Sequence, residues 1–180
     1  MKINIIACIN SVDAIGKDNK LLYRIPSDLL NFKLLTDGRV IIMGRNTYES
    51  LPKKPLKNRI HIIISSDADY TPTCREGETV YVVNSIDAAI QTAETFGIEE
   101  VFVIGGASVY RQFMEQDNVD KLFITLVEDE EEGDVHFPAI EDSKWQLRSI
   151  TDAMTHLIED EETHQVKNLN YQFLTYERKE

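Results

Sequence analysis

Cysteine is scarce in this chain, and so is positive charge. There are two cysteines, Cys8 and Cys74, one inside an apolar segment and one in a Tyr-Thr-Pro-Thr loop. That rules out a disulfide-stapled scaffold, and reduced thiols fit a chain read as cytoplasmic. The four histidines, His61, His136, His156 and His164, are scattered, so no zinc-binding spacing occurs and no metal is expected. Lys and Arg number 19 against 31 Asp and Glu, a net charge of −12. Nucleic-acid backbones are bound mainly by Lys and Arg, so a nucleic-acid partner is not expected. There is no run of 18 apolar residues, which argues against a membrane-spanning helix. Met1-Lys2-Ile3-Asn4-Ile5-Ile6 is too short for a signal core and reads as a strand, so a cytoplasmic protein is expected. Internal repeats, long linkers and the full Gly-x-Gly-x-x-Gly fingerprint are also missing.

What remains is an ordinary globular composition, 42% apolar and 28% charged over 180 residues, enough for one domain spanning 1–180. Much of the acid lies in Glu128–Glu132 and Glu159–Glu162, which read as solvated loops or as a site for a cation or basic partner. Strands are predicted over Ile3–Ile9, Val40–Met43, Arg59–Ser65, Val80–Val83, Val101–Ile104, Lys121–Val127, Gln146–Ile150 and Tyr171–Tyr176. Helices are predicted over Ser27–Thr36, Asn46–Ser50, Ile86–Phe96 and Ala107–Glu115. Pro26 presets a first helical turn, Ser85 can cap the third helix, and Gly97 can end it. Apolar strands alternating with helices indicate a largely parallel α/β sheet covered on both faces, and the last two strands, with no helix between them, indicate an antiparallel edge. Ligands of such sheets bind outside the carboxyl ends of the strands.

Four segments at such ends could carry chemistry. Asp28 and Phe32 are four apart and share a helix face; Asp28 is either an ionisable group facing a ligand or a helix-start acid that favours the macrodipole. Gly44-Arg45-Asn46-Thr47 follows an apolar strand and could form an anion site, or a plain turn with a surface arginine. Gly105-Gly106 ends another strand and lets backbone approach a ligand or turn sharply. Arg59 opens a strand ending in Ser65-Ser66, where two hydroxyls could meet a phosphate or form a turn.

In this order, the pieces resemble the dihydrofolate reductase family over nearly the whole chain. The landmarks are Ile6-Ala7, Ile15-Gly16, Pro26-Ser27-Asp28-Leu29 with Phe32-Lys33, Ile42 to Thr47, Ile64-Ser65-Ser66, Val103-Ile104-Gly105-Gly106 with Tyr110, Thr125, Gly133 to Pro138, and Tyr171-Gln172-Phe173. The resemblance implies a single-domain fold with a twisted, mostly parallel eight-stranded sheet and four flanking helices. It implies NADPH as cofactor, dihydrofolate as substrate and a monomer. Asp28 is then the ionisable group of the pterin site, supported by Thr125 and bordered by Ile6 and Ile104. Phe32, Leu51 and Leu56 pack on the benzoyl portion, and Arg59 meets the glutamate carboxylate. Ala7, Ile15 and Tyr110 line the nicotinamide, with Gly16 in the loop Asn10–Arg24 that closes over it. Gly44, Arg45, Asn46, Thr47, Ser65, Ser66 and Ser108 hold the adenosine phosphates, and a cis Gly105–Gly106 bond lies on the pyrophosphate. The chain departs from the family at Leu21-Leu22-Tyr23, where Leu-Pro-Trp or Met-Pro-Trp is common, and at Ser108, where some relatives carry a basic residue. Tyr23 is expected to order a water near the catalytic carboxylate. The riboflavin-pathway reductases share fold and cofactor, but the Asp28 and Arg59 pair suits a pterin with a glutamate tail. A non-enzymatic, cofactor-binding structural role is the remaining alternative.

Overall fold

The isoleucine-rich N-terminal segment becomes the central strand of the molecule. In the computed structural model, which describes every residue of Met1–Glu180 except Glu76 and 160–163, strand β1 runs over Lys2–Asn10. Its alternation divides the core: Ile3, Ile5, Ala7 and Ile9 enter one hydrophobic cluster, while Ile6 enters a second on the opposite face.

Among the described residues the chain forms twelve strands and four helices. After β1 come β2 (Ala14–Lys17), β3 (Lys20–Leu21), α1 (Pro26–Thr36), β4 (Val40–Gly44), α2 (Arg45–Ser50), β5 (Ile60–Ile64) and β6 (Val80–Val83). Next are α3 (Ile86–Glu94), β7 (Glu100–Gly105), α4 (Ala107–Glu115) and β8 (Lys121–Val127). The chain ends with β9 (Val135–His136), β10 (Trp145–Ile150), β11 (Met154–Glu159) and β12 (Val166–Arg178). The main sheet has the order β10-β12-β8-β1-β7-β4-β5-β6, with β11 paired to β12. From β8 to β6 every pairing is parallel, and β12 pairs antiparallel with β8, β10 and β11. Helices α3 and α4 bury Ile86, Ala89, Ala93, Val109, Tyr110 and Phe113 on one face. Phe32 and Leu35 of α1 and Tyr48 of α2 cover the other.

The helix starts follow their local chemistry. Pro26 occupies the first turn of α1, and Ser85 Oγ accepts from the Ala88 N–H at 3.1 Å to cap α3. Helix α3 stops at Glu94, two residues before the expected Phe96, and Gly97 closes the turn at φ 63° with its N–H on Glu94 O.

The sheet holds nine strands rather than the expected eight, because β11 folds back on a β12 that begins at Val166 instead of Tyr171. Strand β11 alternates half-buried and exposed residues and has no continuous apolar run, so its pattern is that of an edge strand wetted on one side. Residues 10–24, expected as loop, contain β2 and β3, which join β9 in a small three-stranded sheet. There Gly16 is obligatory on steric grounds, since a Cβ would lie 2.8 Å from Lys20 O. Asp160, Glu161 and Glu162 of the second acidic run, and Glu76, lie outside the described residues. Among the described residues, no helix is long and apolar enough to cross a membrane.

Candidate active site

Parallel pairing carries several chain ends to the same edge of the sheet. Met43 of β4 sits opposite Gly105 of β7, and Gly44 of β4 opposite Ile64 of β5. The segments Gly44–Thr47, Ser65-Ser66 and Gly105-Gly106 therefore emerge side by side. Strands β1 and β8 end at this edge too, paired through Asn10 and Val127.

The one acid that α1 turns toward the sheet is Asp28. Thr125 of β8, itself buried, donates its hydroxyl hydrogen to Asp28 Oδ1 at 2.6 Å. Burial raises the Asp28 pKa above the ordinary carboxylate range, and the Thr125 hydrogen bond offsets part of that rise. Thr125 is register partner of Cys8 on β1, so the thiol borders the same carboxylate; burial, then the nearby charge of Asp28, pushes that thiol far up. Sequence reasoning passed over Cys8, although its place two residues after Ile6 on an alternating strand put it on this face.

An apolar wall stands beside the carboxylate. Ile6 clusters with half-buried Phe32, Leu51, Leu56 and Ile104. Arg59 lies at the far end of this wall. Its Nε donates to Thr36 Oγ1 at 2.8 Å, a terminal nitrogen donates to Lys57 O at 2.7 Å, and the guanidinium stands 5.8 Å from the Phe32 ring centre. These contacts hold the charge at the rim beside Phe32. His61, not anticipated, is fully buried and accepts the Leu56 N–H at Nε2 over 2.9 Å, so it fixes the segment carrying Leu56. Burial lowers its pKa to about 4, and the ring is neutral.

On the opposite face Ala7, Tyr110 and half-buried Ile15 share the first cluster, and the Tyr110 hydroxyl donates to Ile6 O at 2.8 Å. The Gly105–Gly106 peptide is cis, and Gly105 has φ 129°, which a side chain rarely adopts. Thr47 Oγ1 would be 3.4 Å from a Cβ on Gly105 and 3.2 Å from one on Gly106, and Val109 would crowd one on Gly44. Two strand ends, those of β4 and β7, thus expose bare backbone beside a threonine hydroxyl, a cradle in which the phosphates of a dinucleotide fit. Ser65 is buried, and Asn46, Ser66 and Ser108 are solvent-accessible around it. Arg45 is bonded here to Asp67 at 2.7 Å.

The Tyr23 hydroxyl donates to Asp129 Oδ2 at 2.7 Å and accepts from Asn10 Nδ2 at 3.0 Å. Asn10 in turn accepts the N–H groups of Val12 and Ala14 and donates to Glu131 O at 2.8 Å. Lys167 also bonds Asp129. The first acidic run is therefore not wholly solvated: burial alone would raise the Asp129 pKa, but the hydrogen bonds from Lys167 and Tyr23 prevail and hold it below the usual range.

Ligand-binding groups gathered at the carboxyl ends of parallel strands, around one half-buried acid and a glycine cradle, define a dinucleotide-using α/β enzyme. The chain belongs to the dihydrofolate reductase family, whose model matches residues 2–178. It is 39% identical to dihydrofolate reductase of Bacillus subtilis over 178 residues, 97% of this chain and 95% of that one. It is 40% identical over 152 residues to the enzyme of Neisseria meningitidis, covering 84% and 88% of the two chains. Among solved structures, dihydrofolate reductase from Enterococcus faecalis complexed with NADP(H) and RAB-propyl matches with a TM-score of 0.79 at 28% identity, over 99% of this chain and 97% of that one.

Proposed function

We propose that this cleft reduces 7,8-dihydrofolate to 5,6,7,8-tetrahydrofolate with NADPH, and that its residues divide the work as follows. Asp28 receives the pterin ring by hydrogen bonding, with Thr125 holding its orientation. Ile6 and Ile104 border the ring, Phe32, Leu51 and Leu56 enclose the benzoyl group, and Arg59 pairs with the glutamate carboxylate. The Gly105-Gly106 backbone, Gly44, Arg45, Asn46, Thr47, Ser65, Ser66 and Ser108 hold the cofactor's phosphates and adenosine. Ala7, Ile15, Gly16 and Tyr110 border its nicotinamide. When bound, NADPH supplies a hydride, and C6 of the pterin accepts it.

The protein's own contribution is orientation, electrostatics and dryness. A carboxylate held among Ile6, Phe32 and Cys8 acts through fewer screening waters than one on the surface, so its charge favours a proton at N5. Water delivers that proton, and Asp28 favours its uptake electrostatically. Tyr23 is a positioning residue: by bonding Asp129 and Asn10 it ties the segment covering the cleft to the β8–β9 connection. The chain acts as a monomer in the cytoplasm, and its net charge of −12 supports the absence of a nucleic-acid partner.

The Asp28–Thr125 pair carries this reading, since it is a half-buried acid kept available beside an apolar wall. Mixing purified protein, NADPH and dihydrofolate should give loss of reduced-nicotinamide absorbance that depends on both ligands. Binding of NADPH without turnover would favour a cofactor-binding structural role instead.

A further inference from the structure

The charge at the adenosine end is not what a phosphate site ordinarily presents. Arg45 and Asp67 are both 45% exposed and joined at 2.7 Å. The carboxylate is held from its own side: Asp67 Oδ1 accepts the Asp69 N–H at 3.1 Å, and the Asp67 N–H donates to Ser65 Oγ at 3.2 Å. Arg45 is also placed, with its guanidinium 4.7 Å from the centre of the Tyr70 ring, whose hydroxyl donates to Glu49 at 2.5 Å. Register puts Arg45 and Ser65 on adjacent strand ends, so Asp67 stands within the group of residues proposed to bind the cofactor. Ser108, the other residue assigned there, brings no charge, and its hydroxyl accepts from Gln112 at 3.1 Å.

A carboxylate at a ribose accepts a hydrogen bond from the 2′-hydroxyl, whereas an arginine receives a 2′-phosphate. Here both occupy one place and neutralise each other. An arriving 2′-phosphate must share Arg45 with Asp67 and sit against a like charge. A ribose bearing only hydroxyls meets no such cost and gains an acceptor. We infer that Asp67 is a specificity-determining residue that narrows the preference for NADPH over NADH, so that NADH also serves as reductant; this rests on the reading of Arg45, Ser65 and Ser66 as the adenosine end. The Arg45–Asp67 pair is exposed and screened, so the effect is modest.

The test measures the dissociation constants of NADPH and NADH by calorimetric titration without substrate, and KM and kcat for both at saturating dihydrofolate, in wild type, Asp67→Asn and Arg45→Gln; the binding ratio should move with the kinetic one. Asp67→Asn should raise kcat/KM for NADPH about three- to tenfold, chiefly by lowering KM, the size expected for removing one partly screened like charge. NADH should be unchanged or used up to a few-fold less well. Arg45→Gln should weaken NADPH more than NADH. If Asp67→Asn moves both cofactors equally, or neither, while Arg45→Gln remains selective, the role of Asp67 is overturned and the adenosine site stands. If Arg45→Gln alters neither cofactor, the adenosine site itself is misplaced and the inference falls with it.

Discussion

The role proposed for Asp28 sets activity against stability in a single residue. Its folded-state pKa is raised, first by burial. An acid of raised pKa binds its proton more tightly folded than unfolded, so stability falls as pH rises from the ordinary aspartate range through the folded value. At neutral pH the native protein therefore bears the cost of a partly desolvated carboxylate. Asp28→Asn keeps the shape and removes the charge. It should lower turnover by roughly 10²–10⁴-fold near neutral pH, with partial recovery at low pH where solvent protonates the pterin. The same variant should melt at a higher temperature than wild type at neutral pH. Steady-state rates and thermal melts on one preparation check both, and a near-wild-type rate would remove Asp28 from the reaction.

At the scale of elements, the segment between β1 and α1 is anchored rather than free. Strand β2 pairs with both β3 and β9, the Asp18 N–H donates to Asp134 at 2.8 Å, and Tyr23 joins Asn10 to Asp129. Leu22 stands where proline is common in the family, which adds backbone freedom just before this anchor. Tyr23→Phe keeps the ring and deletes the hydroxyl, leaving Asp129 and Asn10 each short of a partner. Stability should fall by about 1–2 kcal/mol, the usual cost of a broken buried hydrogen bond. The hydride step, followed in single turnovers, should slow more than NADPH binding weakens. An unchanged hydride rate across pH would reduce Tyr23 to a packing residue.

Over the whole molecule, acid should act through His61 before it acts through most carboxylates. The unfolded chain takes up a proton at His61 near the ordinary value of 6.5, while the folded chain resists until about pH 4. Stability should therefore decline as pH falls through that interval, by roughly 3 kcal/mol when complete. Asp129, whose folded pKa is lowered, adds its own loss only at still lower pH, through its folded value. His61→Gln offers Leu56 an acceptor that does not titrate. Urea midpoints measured at about pH 7.5 and about pH 4.5 should differ less in this variant than in wild type. Equal differences in the two proteins would show that His61 does not govern the acid response.

The sequence alone determined the strands that lie buried on both faces, because those are continuous apolar runs such as Val40–Met43 and Val101–Ile104. It determined the helix starts at Pro26 and Ser85, whose chemistry is local. It also placed Asp28, Arg45 and Gly105-Gly106 at the ends of elements, in the segments from which the proposed site is built. Strand β11 and the small β2–β3–β9 sheet were illegible, since half-wetted or very short strands have no periodic apolar signal. The partners of each site residue were decided only by tertiary structure. Thr125 reaches Asp28 across 97 positions and Tyr23 reaches Asp129 across 106. Nothing in a local window distinguishes Asp129, bonded to Tyr23 and Lys167, from the acids beside it in the same run. Nor does one show that Asp67 faces Arg45: strand pairing and packing set those distances, and they in turn set charge and hydrogen bonding at the site.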